Sequence, residues 1–185
     1  EMNADQPFYR SDSKDNILKF TITTVNTAEY KAVAEATAKM WRGAGIIADV
    51  NLADNFQITN EILKKRDYEI LLYGEILGAD PDPYPFWHSS QMNYPGFNLA
   101  MFDDSDADKI LESARVENSE KKRLELHKKF VDILNTEIPA IFLYTPNYTL
   151  AIAKEIKGVS LSQIFHPADR FAGIGNWYIK TKQEW

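Results

Sequence analysis

Cysteine is absent from all 185 residues of the sequence. Its absence excludes disulfide frameworks, thiolate metal sites and cysteine nucleophiles together. Such a composition suits an oxidising compartment, where unpaired thiols are a liability, although cytosolic proteins can also lack cysteine. No signal peptide is visible and Glu1 is not a natural start, so we expect a mature protein or an excised piece of one.

Long apolar runs and an excess of positive charge are also missing. The longest apolar run, around Ile138 to Tyr144, has the length of a strand and is far shorter than the ~20 residues that span a bilayer. The net charge of −6 argues against nucleic acid as a partner. With 44% hydrophobic and 12% aromatic residues, the chain has the composition of an ordinary soluble globular domain.

The sequence carries no recognisable catalytic motif. It has no Gly-x-Ser-x-Gly elbow, no phosphate-binding loop and no His-Glu-x-x-His pair. His88, together with Asp80 and Asp82, could form an oxygen-rich metal site, and this leaves a metal-assisted hydrolase as one alternative. We expect neither an enzyme nor a cofactor or metal, because no set of converging catalytic groups is evident.

The first half of the chain has an alternating strand and helix pattern. Two capping boxes, Asn26 with Glu29 and Asp54 with Gln57, predict where the two helices begin. The elements strand, helix, strand, helix, strand are predicted for 16–25, 26–43, 46–52, 54–65 and 68–73. This order is typical of a parallel sheet with right-handed crossovers, and therefore of an α/β fold.

The last of these strands, Tyr68 to Tyr73, is almost entirely apolar, which predicts a strand buried on both faces. The loop that leaves its carboxyl end, 74–99, is rich in proline, acids and aromatic residues. Loops at this edge of an open α/β sheet commonly hold ligands. One interpretation is a recognition surface that includes Tyr73, Glu75 and Asp80, and the other is a loop fixed by its own aromatic side chains.

The second half predicts two helices and a hairpin. The helices begin near Ser105 and Ser119, and Pro139 ends the second. Ala140 to Tyr144 is predicted as another interior strand, with Tyr148 to Ala153 as its hairpin partner. We expect a loosely ordered lead-in over 1–15 and a single α/β domain over 16–185, with a mixed, mostly parallel sheet flanked by helices.

The order of these segments resembles a known family. The features are a helix with Ala-Lys-Met-Trp-Arg-Gly-Ala-Gly-Ile, the Arg-Asp-Tyr-Glu-Ile strand, the Asp-Pro-Asp-Pro loop with Phe-Trp, Ile-Pro-Ala-Ile-Phe-Leu-Tyr, Ile-Lys-Gly-Val and Arg-Phe. Over about 18–178 the chain resembles the C-terminal lobe of the extracellular solute-binding proteins of family five. These are the oligopeptide-, dipeptide- and nickel-binding proteins of ABC importers.

The resemblance implies one lobe of a periplasmic-binding-protein-like (type II) fold. Its partners would be a small, peptide-like solute, the N-terminal lobe of the same receptor and an ABC permease in the membrane. The location would be exported, periplasmic or extracellular, and membrane-associated.

The resemblance also implies a ligand-binding set, although with a departure from the family pattern. Gly74 matches the glycine after the central strand, but Glu75 stands where peptide-binding members have tryptophan. The expected ligand-binding residues are Phe56, Tyr73, Glu75, Ile76, Asp80, Trp87 and Asn98. A module that uses the aromatic loop for surface contacts with other proteins is a further alternative.

Overall fold

The computed structural model describes residues 8–78, 82–161 and 164–180. Its central element is the seven-residue strand β1 (Lys19–Val25). Ile22, Thr23 and Thr24 of β1 are buried. β-Branched residues favour the pleated conformation, and their run in β1 explains why this segment becomes the middle of the sheet.

The sheet has the order β2-β1-β3 and its strands are parallel. β2 (Ile47–Ala53) pairs with β1 along its whole length, from Lys19 opposite Ile47 to Val25 opposite Ala53. β3 (Ile70–Leu72) pairs with the other edge of β1, from Ile22 opposite Ile70 to Thr24 opposite Leu72. The prediction of a mostly parallel sheet is confirmed.

Helix α1 (Ala28–Gly43) connects β1 to β2. The predicted cap at Asn26 is wrong by one residue, because the side chain of Thr27 accepts the hydrogen bond from the Tyr30 backbone N–H. Ala34 and Ala38, which are fully buried, let the helix pack closely on the sheet. Gly45 follows the helix with a φ of +82°, a conformation that favours glycine.

The capping box predicted at Asp54 and Gln57 is confirmed, with hydrogen bonds in both directions. It begins α2 (Asn55–Gln57), which continues directly into a π-helical turn over Ile58–Leu63. Arg66 then adopts a left-handed backbone and donates to the carbonyl oxygens of Leu63, Met92 and Gly96. This arginine therefore ties the end of the helix to the later loop.

The position predicted for the third strand is wrong. Only Ile70–Leu72 of the predicted 68–73 form the strand, and among the described strands β3 lies at the edge of the sheet with half-buried residues. The reason is that aromatic residues in this run have other roles: the Tyr68 hydroxyl donates to the Leu99 carbonyl, 2.5 Å away. Ile70 and Leu72 of this run pack against buried residues of β1 and α1, so the apolar pattern indicated partial burial rather than a place in the middle of the sheet.

The loop and the two long helices complete this part of the chain. Short turns form at α3 (Tyr84–Trp87) and at the 3₁₀ helix Ser89–Gln91. Helix α4 (Ser105–Val116) is capped by Asp104, one residue before the predicted Ser105, and α5 (Glu120–Glu137) follows the cap residue Ser119. Ile138, in a left-handed conformation, ends α5 just before Pro139.

Two apolar clusters form the core. One lies between the sheet and α1 and includes Ile22, Ala34, Ala38 and Ala48. The other lies between α4, α5 and the loop, and its buried residues are Phe102, Ala107, Leu111, Phe130 and Leu134.

The chain divides into two compact units, one of 1–75 with 83–139 and one of 76–82 with 140–185. Both clusters belong to the first. In the second, the described part has short 3₁₀ helices, Pro167–Phe171 and Ile174–Asn176, and two short antiparallel strands, β4 (Ile156–Lys157) and β5 (Tyr178–Ile179). The single domain expected over 16–185 stays a prediction.

The hairpin predicted from Ala140 to Ala153 is wrong. Neither 140–144 nor 148–153 is a strand, and Ile141, Phe142 and Tyr144 are more than half exposed. β-Propensity indicates only that a segment can be a strand, and a strand forms when a neighbour satisfies its backbone groups. No strand of the described second unit supplies that neighbour to these residues.

Candidate functional site at the carboxyl edge of the sheet

The carboxyl ends of the three parallel strands meet at one edge of the sheet. Val25, Ala53 and Leu72 are the last residues of β1, β2 and β3, and the register places Ala53 directly beside Val25. The Asn26 N–H donates to the Ala53 carbonyl at 2.8 Å, which fixes the segments that follow β1 and β2 relative to each other. Residues that follow these strands are therefore held on a rigid frame, as a binding site requires.

Two helices begin at this edge. Thr27 caps α1 and Asp54 caps α2, so the amino ends of both helices lie at the same edge of the sheet. Phe56, in the first turn of α2, is 67% exposed. The structure thus places the predicted Phe56 as an aromatic side chain open to solvent next to the strand ends.

The exit of β3 supplies Tyr73, Gly74 and Glu75. Tyr73 is 40% exposed and follows the last strand residue directly. Desolvation by surrounding protein atoms raises the pKa of Glu75 from 4.5 to about 7. Because the residue remains exposed over part of its surface, this desolvation is partial. Glu75 is therefore a carboxyl group whose charge responds to pH near neutrality.

Tyr30 is a site residue that sequence reasoning missed. The periodicity of α1 places it on the inner face, whereas its phenol reaches the turn after β3. A Cβ added at Gly74 would lie 2.4 Å from the Tyr30 hydroxyl, so any larger residue would force the phenol to move. Glycine directly after an apolar strand was the available signal, because it often marks a close approach to the backbone.

Asn98 and Trp87 have structural contacts within the first unit. The Asn98 side chain is fully buried and donates to the carbonyl oxygens of Trp87, His88 and Phe102, while its oxygen accepts from the Phe102 N–H. Trp87 is half-buried and packs edge-on against Phe102 and Phe130. Both residues hold the loop against the core.

His88 belongs to the same structural network. Its Nδ1 accepts from the Ser90 backbone N–H at 3.1 Å, so Nε2 carries the proton of the neutral ring. Nε2 lies 3.4 Å from Glu112 Oε1 and 3.8 Å from Asp108 Oδ1. A protonated Nε2 is not a metal ligand, and no metal-binding group of His, Asp or Glu occurs among the residues that the structure describes.

Of the two remaining predicted residues, the structure describes Ile76 but not Asp80. Ile76 is 79% exposed and falls in the second unit. Asp80, one residue of the hydrolase alternative, lies outside the described residues. Of the other two, Asp82 belongs to the second unit and His88 to the first. His88 instead faces two carboxylates of α4.

Comparison with curated proteins identifies two relatives. The Oligopeptide-binding protein AppA of Bacillus subtilis (strain 168) is 26% identical over 113 residues, which are 61% of this chain and 20% of that protein. The Probable D,D-dipeptide-binding periplasmic protein DdpA of Escherichia coli (strain K12) is 26% identical over 174 residues, which are 90% of this chain and 33% of that protein. The chain is thus similar in sequence to two proteins named for binding peptides. No protein-family model matches the sequence.

Solved structures show the same fold. The structure of AppA from Bacillus subtilis in complex with a nonapeptide matches with a TM-score of 0.75 and 21% identity, over 98% of this chain and 35% of that one. The resemblance and the α/β, type II periplasmic-binding-protein-like fold class are thereby confirmed. The chain spans about a third or less of the length of the relatives it matches. No helix within the described ranges is long and apolar enough to cross a membrane.

Proposed function

We propose that the chain is a ligand-binding lobe of an ABC-importer substrate receptor, and that its solute is peptide-like. The observation that carries this proposal is the strand edge, where Phe56 follows β2 and Tyr73 and Glu75 follow β3, all three exposed at the same edge of the sheet. Two relatives with peptide-binding names support the solute class. Binding, rather than turnover, suits this edge, because its described residues include no nucleophile paired with a base.

The proposed contacts follow from the chemistry of the three side chains. The rings of Phe56 and Tyr73 supply apolar area at a low cost in side-chain entropy. Glu75, when ionised, favours an ammonium group, and loss of water on binding strengthens that pairing. Ile76, Asp80 and Trp87 stay predicted contacts, whereas buried Asn98 acts by fixing the loop.

In the whole receptor, this lobe would share the solute with the N-terminal lobe of the same protein. Ligand that contacts both lobes favours the closed arrangement through its differential contacts, and the closed receptor would deliver it to an ABC permease. This function implies an exported location, periplasmic or on the outer face of a membrane. It requires no cofactor.

The test is a titration of the ¹⁵N-labelled chain with trialanine, followed by amide chemical shifts. We expect shifts at Phe56 and at 73–75, with an affinity near millimolar, about −4 kcal/mol, since one lobe keeps only part of the contacts. N-acetyl-trialanine, which lacks the ammonium group, should bind more weakly. A panel of di- to pentapeptides that leaves this edge unshifted would contradict the proposed function.

Glu75→Gln tests the charge in the same titration. We expect trialanine affinity to fall by about 1–3 kcal/mol at pH 8, where Glu75 is ionised, because a charge-assisted contact is lost. The control is Glu125→Gln, which changes an exposed acid on α5, away from the strand edge. Equal affinity of the two variants would remove Glu75 from the site.

A further inference from the structure

Tyr30 occupies a defined position at the strand edge. It lies in the first turn of α1, three residues after the cap Thr27, and its residue surface is half-buried. Its hydroxyl oxygen lies against Gly74, the residue between Tyr73 and Glu75. The phenol therefore touches the backbone that carries both proposed ligand contacts.

The hydrogen-bonding capacity of this hydroxyl is only half used. The pKa of Tyr30 is raised, first by desolvation and then by Tyr73 and Glu29, while a hydrogen bond from the Gly74 N–H opposes the shift. The phenol therefore keeps its proton at neutral pH. Its oxygen accepts from Gly74, and no acceptor for its hydrogen occurs among residues 8–78, 82–161 and 164–180.

A half-buried O–H group that has no acceptor within the described part of the chain, and that is held rigidly at a ligand edge, is a donor ready for an acceptor on a ligand. The rigidity comes from two sides, the helix cap at Thr27 and the Gly74 backbone. Peptides present such acceptors along their length, as backbone carbonyls and as the terminal carboxylate. A donor here would complement Glu75, which can engage only positive groups or donors when ionised.

We propose that Tyr30 is a ligand contact of the strand edge, with its hydroxyl donating to a carbonyl or carboxylate oxygen of the peptide-like solute. Its oxygen at the same time accepts from Gly74 and positions the turn that carries Glu75. This assignment rests on the proposed function and adds to it a specificity for acceptor oxygens beside the acidic subsite.

Tyr30→Phe is the informative variant, because it keeps the ring and removes only the hydroxyl. In the free protein, we expect the Gly74 amide proton to move upfield as it loses its acceptor. In the trialanine titration, we expect the affinity to fall about three- to tenfold, the range for one net hydrogen bond. Tyr9→Phe is the control, since Tyr9 is an exposed tyrosine near the opposite, amino edge of the sheet.

Two further arms sharpen the test. Trialanine amide keeps the carbonyls but lacks the carboxylate, so a loss on Tyr30→Phe that disappears with the amide assigns the contact to the carboxylate, and a loss that persists assigns it to a carbonyl. Gly74→Ala places a methyl where the hydroxyl lies and should weaken binding in the same direction.

The outcomes separate the two proposals. If no peptide changes the amide chemical shifts of the strand edge in the unaltered chain, the proposed function is wrong and the proposed Tyr30 contact is wrong with it. If trialanine binds the unaltered chain and Tyr30→Phe equally, while the Gly74 signal moves, Tyr30 is a structural residue and only this inference is overturned. An unmoved Gly74 signal in Tyr30→Phe would overturn the positioning part directly.

Discussion

Glu75 links the proposed site to pH at the scale of a single residue. Its pKa in the folded protein is raised from 4.5 to about 7, so the folded state holds the proton where the unfolded chain has lost it. The stability contributed by the neutral group is complete below pH 4.5 and is lost as the pH rises to about 7. This sign is opposite to that of a carboxylate in an ion pair.

We therefore expect Glu75→Gln to flatten part of the pH dependence of stability. Urea midpoints of the original chain should fall relative to those of Glu75→Gln between pH 4.5 and 7, because glutamine carries no titrating proton. Parallel curves for the two proteins over that range would contradict the raised pKa.

Asn98 is a polar residue whose side chain is fully buried in the core. Its amide makes four hydrogen bonds to backbone groups of the loop and of Phe102, three of them fully buried. Asn98→Ala leaves these groups unsatisfied and should lower the free energy of unfolding by about 2–4 kcal/mol. Urea unfolding measures the change, and exposed Asn93→Ala should be nearly neutral.

The residue scale also shows what the sequence could predict about the site. Phe56, Tyr73 and Glu75 were predicted as contacts, and the structure places them at one edge because parallel strands end together. Tyr30 was not predicted as a contact, since helix periodicity gives the face of a side chain but not how far its hydroxyl reaches. Its partner Gly74 is 44 residues away, a separation that no local pattern reports.

At the scale of elements, helix ends are set by individual polar side chains. Asp104 accepts hydrogen bonds from the backbone N–H groups of Asp106 and Ala107 at the start of α4. Asp104→Ala should cost about 0.5–2 kcal/mol in urea unfolding, the usual range for an N-cap. Neighbouring Asp103, which is exposed, provides the matched control, and an equal loss in Asp103→Ala would attribute the effect to charge alone.

Elements bounded by local signals were predicted well. The capping box at Asp54 is local chemistry, and the structure has it as predicted. The strand predictions for 68–73 and 140–144 were wrong because a strand needs a paired neighbour, and the tertiary structure decides which segments pair. An apolar run indicates that a segment is buried, and β3 is partly buried although it lies at the edge of the described sheet.

At the scale of the whole molecule, burial is confined to the first unit. Among the described residues, all those that are buried lie in 1–75 or 83–139, and none lies in 76–82 or 140–185. Local stability follows buried apolar contacts, so the two units should differ strongly. This difference follows from burial within each unit alone.

Hydrogen exchange of the chain should show the contrast. We expect slow exchange for amides of β1, α1 and α5, and fast exchange for most amides over 140–180, because few of them are shielded or bonded in regular structure. Protection over 141–151 equal to that of β1 would show that this segment has a core that its exposure does not reveal.

The sequence by itself determined the α/β class, the order of the first five elements and the capping of α2, because periodicity, caps and turn residues act within a few positions of the chain. It also carried the resemblance to solute-binding proteins, since motif order survives at 26% identity. Only the tertiary structure decided that β3 lies at an edge, that Asn98 and His88 hold the loop, and that Tyr30 reaches Gly74. Those facts depend on contacts between residues distant in sequence, whose partners are chosen by packing and by hydrogen bonds that must be satisfied out of water.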